Sequence, residues 1–311
     1  MEELKMRGAP KDEVPKNPLL RSLNKKKEAA EKPHNAVEEA LHVAPEPEHK
    51  EAPHFHATQK VAIITGGSSG IGKAVALHLA SNNYNVVIVA RKKQGLHEVE
   101  QELAKYKVKV LIRECDVTKA VQVRETVQHV VKTFGRIDVL VNNAGYGIYG
   151  PIEEMKLEDI NNQMLTNYFG TVLFTKECLA KLKESKGVIV NIASIAGLVG
   201  IPKMAAYSTS KFAVVGFSES LRYELADTGV NVCVVAPGKV HTGFFQHESF
   251  KNVDWAQDDT GVTPGSVARL VDEAINTRKF MNIIPAVHKY QLMLKNLFPN
   301  SAYVKKRLSD I

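Results

Sequence analysis

From Lys60 onward the chain alternates short, continuous apolar runs with longer stretches of helical period, and few folds accommodate that alternation. The runs are Val61–Thr65, Val86–Ala90, Lys109–Cys115, Ile137–Val141, Val188–Ile192, Val230–Ala236 and Asn282–Pro285. Unbroken apolar strands belong to sheets buried on both faces. Strands of this kind separated by helices of ten or more residues predict a parallel sheet with helices on either side. Right-handed crossovers make such a sheet doubly wound. The expectation is therefore a single α/β domain of the Rossmann type, with seven parallel strands, over residues 58–285.

The flanks read differently. Residues 1–57 are rich in Lys, Glu, Ala, Pro and His and poor in aromatics. Such a stretch buries too little apolar surface to offset its ordering entropy, which predicts a disordered tail with at most a short helix near Ala36–Val43. His42, His49, His54 and His56 are too loosely spaced to suggest a metal, so none is expected. Met1–Lys60 is charge-neutral, whereas Arg278–Ile311 carries seven Lys/Arg against Asp310 alone, so most of the net charge of +7 sits at the C-terminal end. Residues 286–311 form a basic, amphipathic extension on this reading. The three cysteines, Cys115, Cys178 and Cys233, lie far apart and are read as reduced core residues. With no run of eighteen apolar residues and no secretory leader in the sequence, a cytoplasmic setting is expected.

Two turns define a nucleotide site. Thr65-Gly66-Gly67-Ser68-Ser69-Gly70-Ile71-Gly72 joins the first strand to the first helix. Glycines there let the backbone approach a pyrophosphate, and the helix N-terminus supplies free N–H groups and a favourable dipole. At the end of the second strand, where an acidic side chain would grip a ribose 2′-hydroxyl, stands Ala90, followed by Arg91, Lys92 and Lys93. Arg91 can pair with a 2′-phosphate, which favours NADP(H) over NAD(H). Asp116 ends the third strand; it either bonds the adenine amino group or caps the next helix.

Tyr207 and Lys211 lie four apart in a helical stretch, Ala205–Ala226, and so share one face. A nearby ammonium lowers a phenol's pKa, which suits Tyr207 to proton transfer at a carbonyl. Ser194 follows the fifth strand at the sheet edge where ligands bind, and its hydroxyl can donate to a developing oxyanion.

With these motifs in order, the sequence resembles the short-chain dehydrogenase/reductase family: Thr65-Gly66-x-x-x-Gly70-x-Gly72, Asn142-Asn143-Ala144-Gly145, Asn167, Ser194, Tyr207-x-x-x-Lys211 and Pro237-Gly238. The resemblance covers roughly residues 58–285. It implies Tyr207 as catalytic acid/base and Ser194 as the group that orients and polarises the carbonyl. It implies Lys211 as the residue that holds the nicotinamide ribose and depresses the tyrosine pKa. Asn167 would bend its helix and bind a water linking Lys211 to solvent. Asn143, Ala144 and Gly145 would support the cofactor, and Val240 and Thr242, after Pro237 and Gly238, would contact its carboxamide. Family members commonly form dimers or tetramers, so a homo-oligomer is implied.

The substrate is less legible. Phe244, Phe245, Phe250 and Trp255 follow Pro237-Gly238, Tyr146, Ile148 and Tyr149 follow Gly145, and Leu198, Val199, Ile201 and Met204 precede Tyr207. Together they suggest an apolar pocket for a small hydrophobic carbonyl or alcohol of lipid, retinoid or steroid type. The alternatives are a 3-oxoacyl thioester reductase, marked by need of an acyl carrier, and a regulatory NADP(H)-binding module, against which the complete Ser194, Tyr207, Lys211 set argues. The segment Val287–Leu308 can lie at a lipid interface or dock on its own domain or a second subunit; the latter is the expectation. No nucleic-acid motif interleaves aromatics with the basic end, and no nucleic-acid partner is expected.

Overall fold

A computed structural model describes residues 59–297. The proposed tail, its short helix near residues 36–43 and the chain beyond residue 297 lie outside the described residues. Seven parallel strands form one sheet in the order β3-β2-β1-β4-β5-β6-β7. They are β1 Val61–Thr65, β2 Asn85–Ala90, β3 Val110–Glu114, β4 Val139–Asn142, β5 Val188–Ile192, β6 Asn231–Pro237 and β7 Met281–Ile284. The predicted runs match these within two residues at each end. β4 starts two residues after its apolar run; just ahead of it the Asp138 carboxylate accepts the Val61 N–H at 2.8 Å and pairs with Arg136, while the Asp138 backbone still bonds Val61 and Val188 on the two neighbouring strands.

Successive side chains on a strand face opposite sides, and each side meets its own helices. Ala62, Ile64, Val86 and Ile88 pack against α1 (Gly70–Ser81), α2 (Lys93–Leu103) and α8 (Pro264–Thr277). Val61, Ile63, Val87 and Val89 pack against α3 (Ala120–Phe134), α5 (Gly170–Ser185) and α6 (Ala205–Glu224). The remaining helices are α4 (Leu157–Met164), α7 (Asp254–Gln257) and α9 (Val287–Leu297). All three cysteines are free and buried. No described helix is long and apolar enough to cross a membrane. The strand order reverses between β1 and β4, and a crevice opens at the carboxyl ends of the strands beside such a switch point.

One position in α6 gives a direct stability test. Gly216 is exposed inside the helix, and a Cβ there would meet nothing within 4 Å. Gly216→Ala is expected to raise stability by about 1 kcal/mol, read as a higher denaturant midpoint at unchanged slope.

Candidate active site

The cleft at the switch point encloses about 820 Å³. It is lined by Gly66, Ser68, Ser69, Gly70 and Ile71 from the first turn, Arg91 after β2, and Asn143, Ala144 and Gly145 after β4. Ser194, Tyr207 and Lys211 line it too, with Pro237, Gly238, Val240 and Thr242 after β6. Gly72, Asp116 and Asn167, also expected at the site, do not themselves line the cleft.

The first turn is locked from the neighbouring strand. The Thr65 hydroxyl oxygen accepts the N–H of Asn143 at 2.9 Å and of Ala144 at 3.0 Å, while Asn143 Nδ2 donates to the carbonyl of Thr65 at 2.9 Å. Gly66 has φ +65°, in the left-handed region that favours glycine. A Cβ on Gly72 would strike the Gly66 carbonyl oxygen, so the glycine lets the helix start sit directly behind the turn.

Asp116 does not cap the helix that follows it. β3 ends at Glu114, and the Asp116 carboxylate accepts from both the N–H (2.9 Å) and the hydroxyl (2.8 Å) of Thr118, while α3 begins only at Ala120. The side chain closes its own loop instead of capping the helix, a common use of Asp. Its neighbours Cys115 and Val117 line the cleft.

Asn167 lies in a π-helical turn, Leu165–Phe169, between α4 and α5, which gives the expected irregularity in the helix. Its side chain makes three hydrogen bonds: Oδ1 accepts the Tyr146 N–H at 3.0 Å, and Nδ2 donates to the Tyr146 carbonyl at 2.9 Å and to Ser210 Oγ at 2.8 Å. Ser210 in turn donates to the Tyr207 carbonyl at 2.7 Å. Asn167 thus ties the loop after β4 to the helix that carries Tyr207. Ser210 and Gln163, whose Oε1 accepts the Ile148 N–H at 3.1 Å, were not singled out from the sequence. Only their tertiary partners give them a role.

Tyr207 and Lys211 are 8 % and 5 % exposed. Lys211 Nζ lies 5.9 Å from the Tyr207 ring centre and donates to the Ile192 carbonyl at 2.8 Å. The adjacent ammonium was expected to depress the phenol, but burial dominates. It pushes Tyr207 up to about 12, against a hydrogen bond from the Ser194 side chain that pulls it down. The same burial pulls Lys211 down to about 8. Tyr207 therefore keeps its proton at neutral pH, as a general acid must.

The Lys211 shift has a stability consequence. An unfolded lysine titrates near 10.5, so between pH 8 and 10.5 the unfolded chain binds a proton that the folded chain has shed. Stability from this residue rises with pH across that window. Relative to Lys211→Met, the wild type is expected to gain about 3 kcal/mol between pH 7.5 and 10.5 in parallel denaturant titrations. Tyr207 has the opposite sign, and its contribution falls as pH passes from 10 to about 12.

Over Tyr207 sits an aromatic wall. Buried Met204, Phe250, Val253 and Ala256 pack with Ile201, Phe244, Phe245 and Trp255. The Phe244 ring lies 5.3 Å from that of Tyr207, and Phe245 lies 5.7 Å from Trp255. The part of this wall from Phe244 to Ala256 belongs to a loop pinned at its base by the pairing of Val240 with Val262. Lys239 Nζ is bonded to the Asp258 carboxylate and to the Trp255 carbonyl at 2.7 Å, so its charge is spent holding the loop. No group of three or more His, Cys, Asp or Glu among the described residues could hold a metal.

A cleft of this shape and lining, on this strand order, is that of a nucleotide-dependent oxidoreductase. The short chain dehydrogenase family model matches residues 60–252, and the chain belongs to the short-chain dehydrogenase/reductase family. It is similar to a 3-ketodihydrosphingosine reductase of Bacteroides thetaiotaomicron, 37% identical over 201 residues, 64% of this chain and 71% of that protein. It is also 38% identical over 184 residues to a 3-oxoacyl-(acyl-carrier-protein) reductase of Bos taurus, 59% of this chain and 76% of that protein. Among solved structures, a short-chain dehydrogenase/reductase from Burkholderia phymatum in complex with NAD superposes with a TM-score of 0.72 at 26% identity, over 79% of this chain and 96% of that one. Actinorhodin polyketide ketoreductase with NADPH gives 0.68 at 34% identity, over 73% and 96%. The chain is thus an NAD(P)-dependent oxidoreductase that acts on carbonyl and alcohol groups.

Proposed function

We propose that the chain reduces a hydrophobic, lipid-like carbonyl with NADPH. The observation that carries this reading is the aromatic wall directly over the Ser194–Tyr207 pair. Of the cations lining the cleft, Arg91 and Lys92 follow β2, Lys211 is buried beside Tyr207, and Lys239 is held by Asp258. The reacting end is therefore suited to an uncharged, apolar substrate. The name of the Bacteroides relative, a 3-ketodihydrosphingosine reductase, points the same way.

The residues that fit the dinucleotide are those of the glycine turn, Asn143 to Gly145 and the Pro237–Thr242 segment, with Arg91 placed for a 2′-phosphate. When bound, the nicotinamide supplies the hydride. The chain supplies orientation and charge. Ser194 donates a hydrogen bond to the carbonyl oxygen, and Tyr207 gives it a proton as negative charge develops there. Lys211 holds the ribose and replenishes the Tyr207 proton, and the aromatic wall excludes water. Asn167 and Ser210 fix the loop and helix between which the substrate oxygen sits.

Two experiments test this. NADPH oxidation against ketones of increasing chain length should show kcat/KM rising about threefold or more per methylene until the wall is covered. A flat series would remove the lipid-like assignment. Arg91→Asp should weaken NADPH by about 100-fold and NADH by less than threefold, because a charge-assisted pair is replaced by repulsion of the 2′-phosphate alone. Equal loss for both would return the cofactor choice to NAD(H). Reduction of 3-oxoacyl thioesters is the second reading, favoured by the Bos taurus relative. It requires that turnover depend on an acyl carrier or thioester.

A further inference from the structure

The C-terminal helix α9 shows two unlike faces. His288 sits against the end of β6: a Cβ added to Gly238 would lie 2.6 Å from His288 Nε2. His288 Nδ1 is 2.6 Å from Gln291 Oε1, and both residues are partly covered, as is Leu292. On the other side Val287, Tyr290, Met293, Leu294 and Leu297 are all 41–69% exposed. At 100° per residue these five fall within an arc of about 120°, opposite the covered residues. Among the described residues this apolar side is not covered by the chain's own domain.

Single exposed apolar residues are ordinary, but five on one arc need an occupant. A second copy of this chain is a poor candidate. An eleven-residue helix is about 16 Å long, too short to supply by itself the roughly 800 Å² per partner of a stable interface. Pairing through a two-fold would also bring two copies of one basic segment together. Exposed Lys289 borders the apolar arc, and the sequence continues through Lys295 to Lys305, Lys306 and Arg307 with Asp310 as the sole acid. An apolar arc bordered by Lys289 and followed in the sequence by a basic stretch complements a surface that is apolar within and anionic at its boundary.

We propose that α9 docks on an anionic lipid bilayer, with Tyr290, Met293, Leu294 and Leu297 immersed at the acyl boundary and the basic residues at the headgroups. The helix is rooted on Gly238, which lines the cleft, so docking holds the enzyme at the phase in which apolar carbonyls concentrate. The proposal stands on the exposed face and the charge, independently of which substrate the cleft takes.

The test is co-sedimentation of the full chain with phosphatidylcholine vesicles, with and without about a third phosphatidylserine. Binding is expected to the mixed vesicles, to fall at least tenfold on raising salt from 0.1 to 0.5 M, and to fall at least tenfold in Met293→Glu/Leu294→Glu. The same variant should reduce a short, water-miscible ketone as fast as wild type, which shows that it folds. Absence of wild-type binding, or equal binding by the variant, overturns the proposal. Sedimentation velocity covers the rival occupant: a wild-type oligomer that the double substitution dissociates, with no vesicle binding, assigns the face to a second copy. Binding only after removal of residues 1–57 assigns it to the chain's own N-terminal segment. Either result also overturns the lipid docking.

Discussion

Tyr207→Phe is expected to lower kcat by about 10²–10⁴-fold while changing NADPH affinity by no more than about tenfold. The first figure is the usual worth of a positioned general acid, and the second is the worth of one neutral hydrogen bond. The substitution isolates the chemistry because only the hydroxyl is removed. The ring stays against Phe244 and in the buried cluster, so packing is conserved. Burial holds the phenol near 12, and the neutral form is the one that donates. Steady-state NADPH oxidation, with cofactor fluorescence for binding, measures both quantities. Turnover within about threefold of wild type would take Tyr207 out of the mechanism.

Gly72→Ala is expected to abolish tight cofactor binding without touching any group that reacts. The new methyl would collide with the Gly66 carbonyl and lie 2.6 Å from Asn143 Nδ2. Neither neighbour can yield freely. Gly66 is held in a left-handed conformation, and Asn143 is bonded to the carbonyls of Thr65 and Gly66. Relief requires the turn to move away from the helix start, which misplaces the N–H groups that would meet a pyrophosphate. A loss of about 100-fold in NADPH affinity and of about 1–3 kcal/mol in stability follows. Gly150→Ala, where an added Cβ meets nothing within 4 Å, is the matched control and should leave both unchanged.

These effects are traceable to features of unequal visibility in the sequence. The strands were plain because the central ones are apolar on both faces, and that pattern survives any detail of packing. The Gly-rich turn and the Tyr207–Lys211 spacing were plain because local geometry forces the residue types. The helix-cap reading of Asp116 fails because Asp serves equally as a helix cap and as a turn-closing acceptor, and only the observed start of α3 separates the two. Ser210 and Gln163 carried no signal at all. Their partners, Asn167 and the Ile148 N–H, lie tens of residues or a whole loop away. The Tyr207 phenol shifted upward, not downward, because the neighbouring cation was visible in the spacing and the depth of burial was not. The fate of α9 turned on what lies beside it, which periodicity does not encode.

The central claim is that Ser194 and Tyr207 address one substrate oxygen, with Lys211 behind them at the cofactor. A crystal structure of the chain with NADP and an alcohol analogue of the substrate tests it most directly. The Ser194 and Tyr207 hydroxyls should both lie about 2.6–3.2 Å from the analogue's oxygen. An analogue bound with that oxygen turned from either hydroxyl, while turnover of the same compound class persists, would contradict the account.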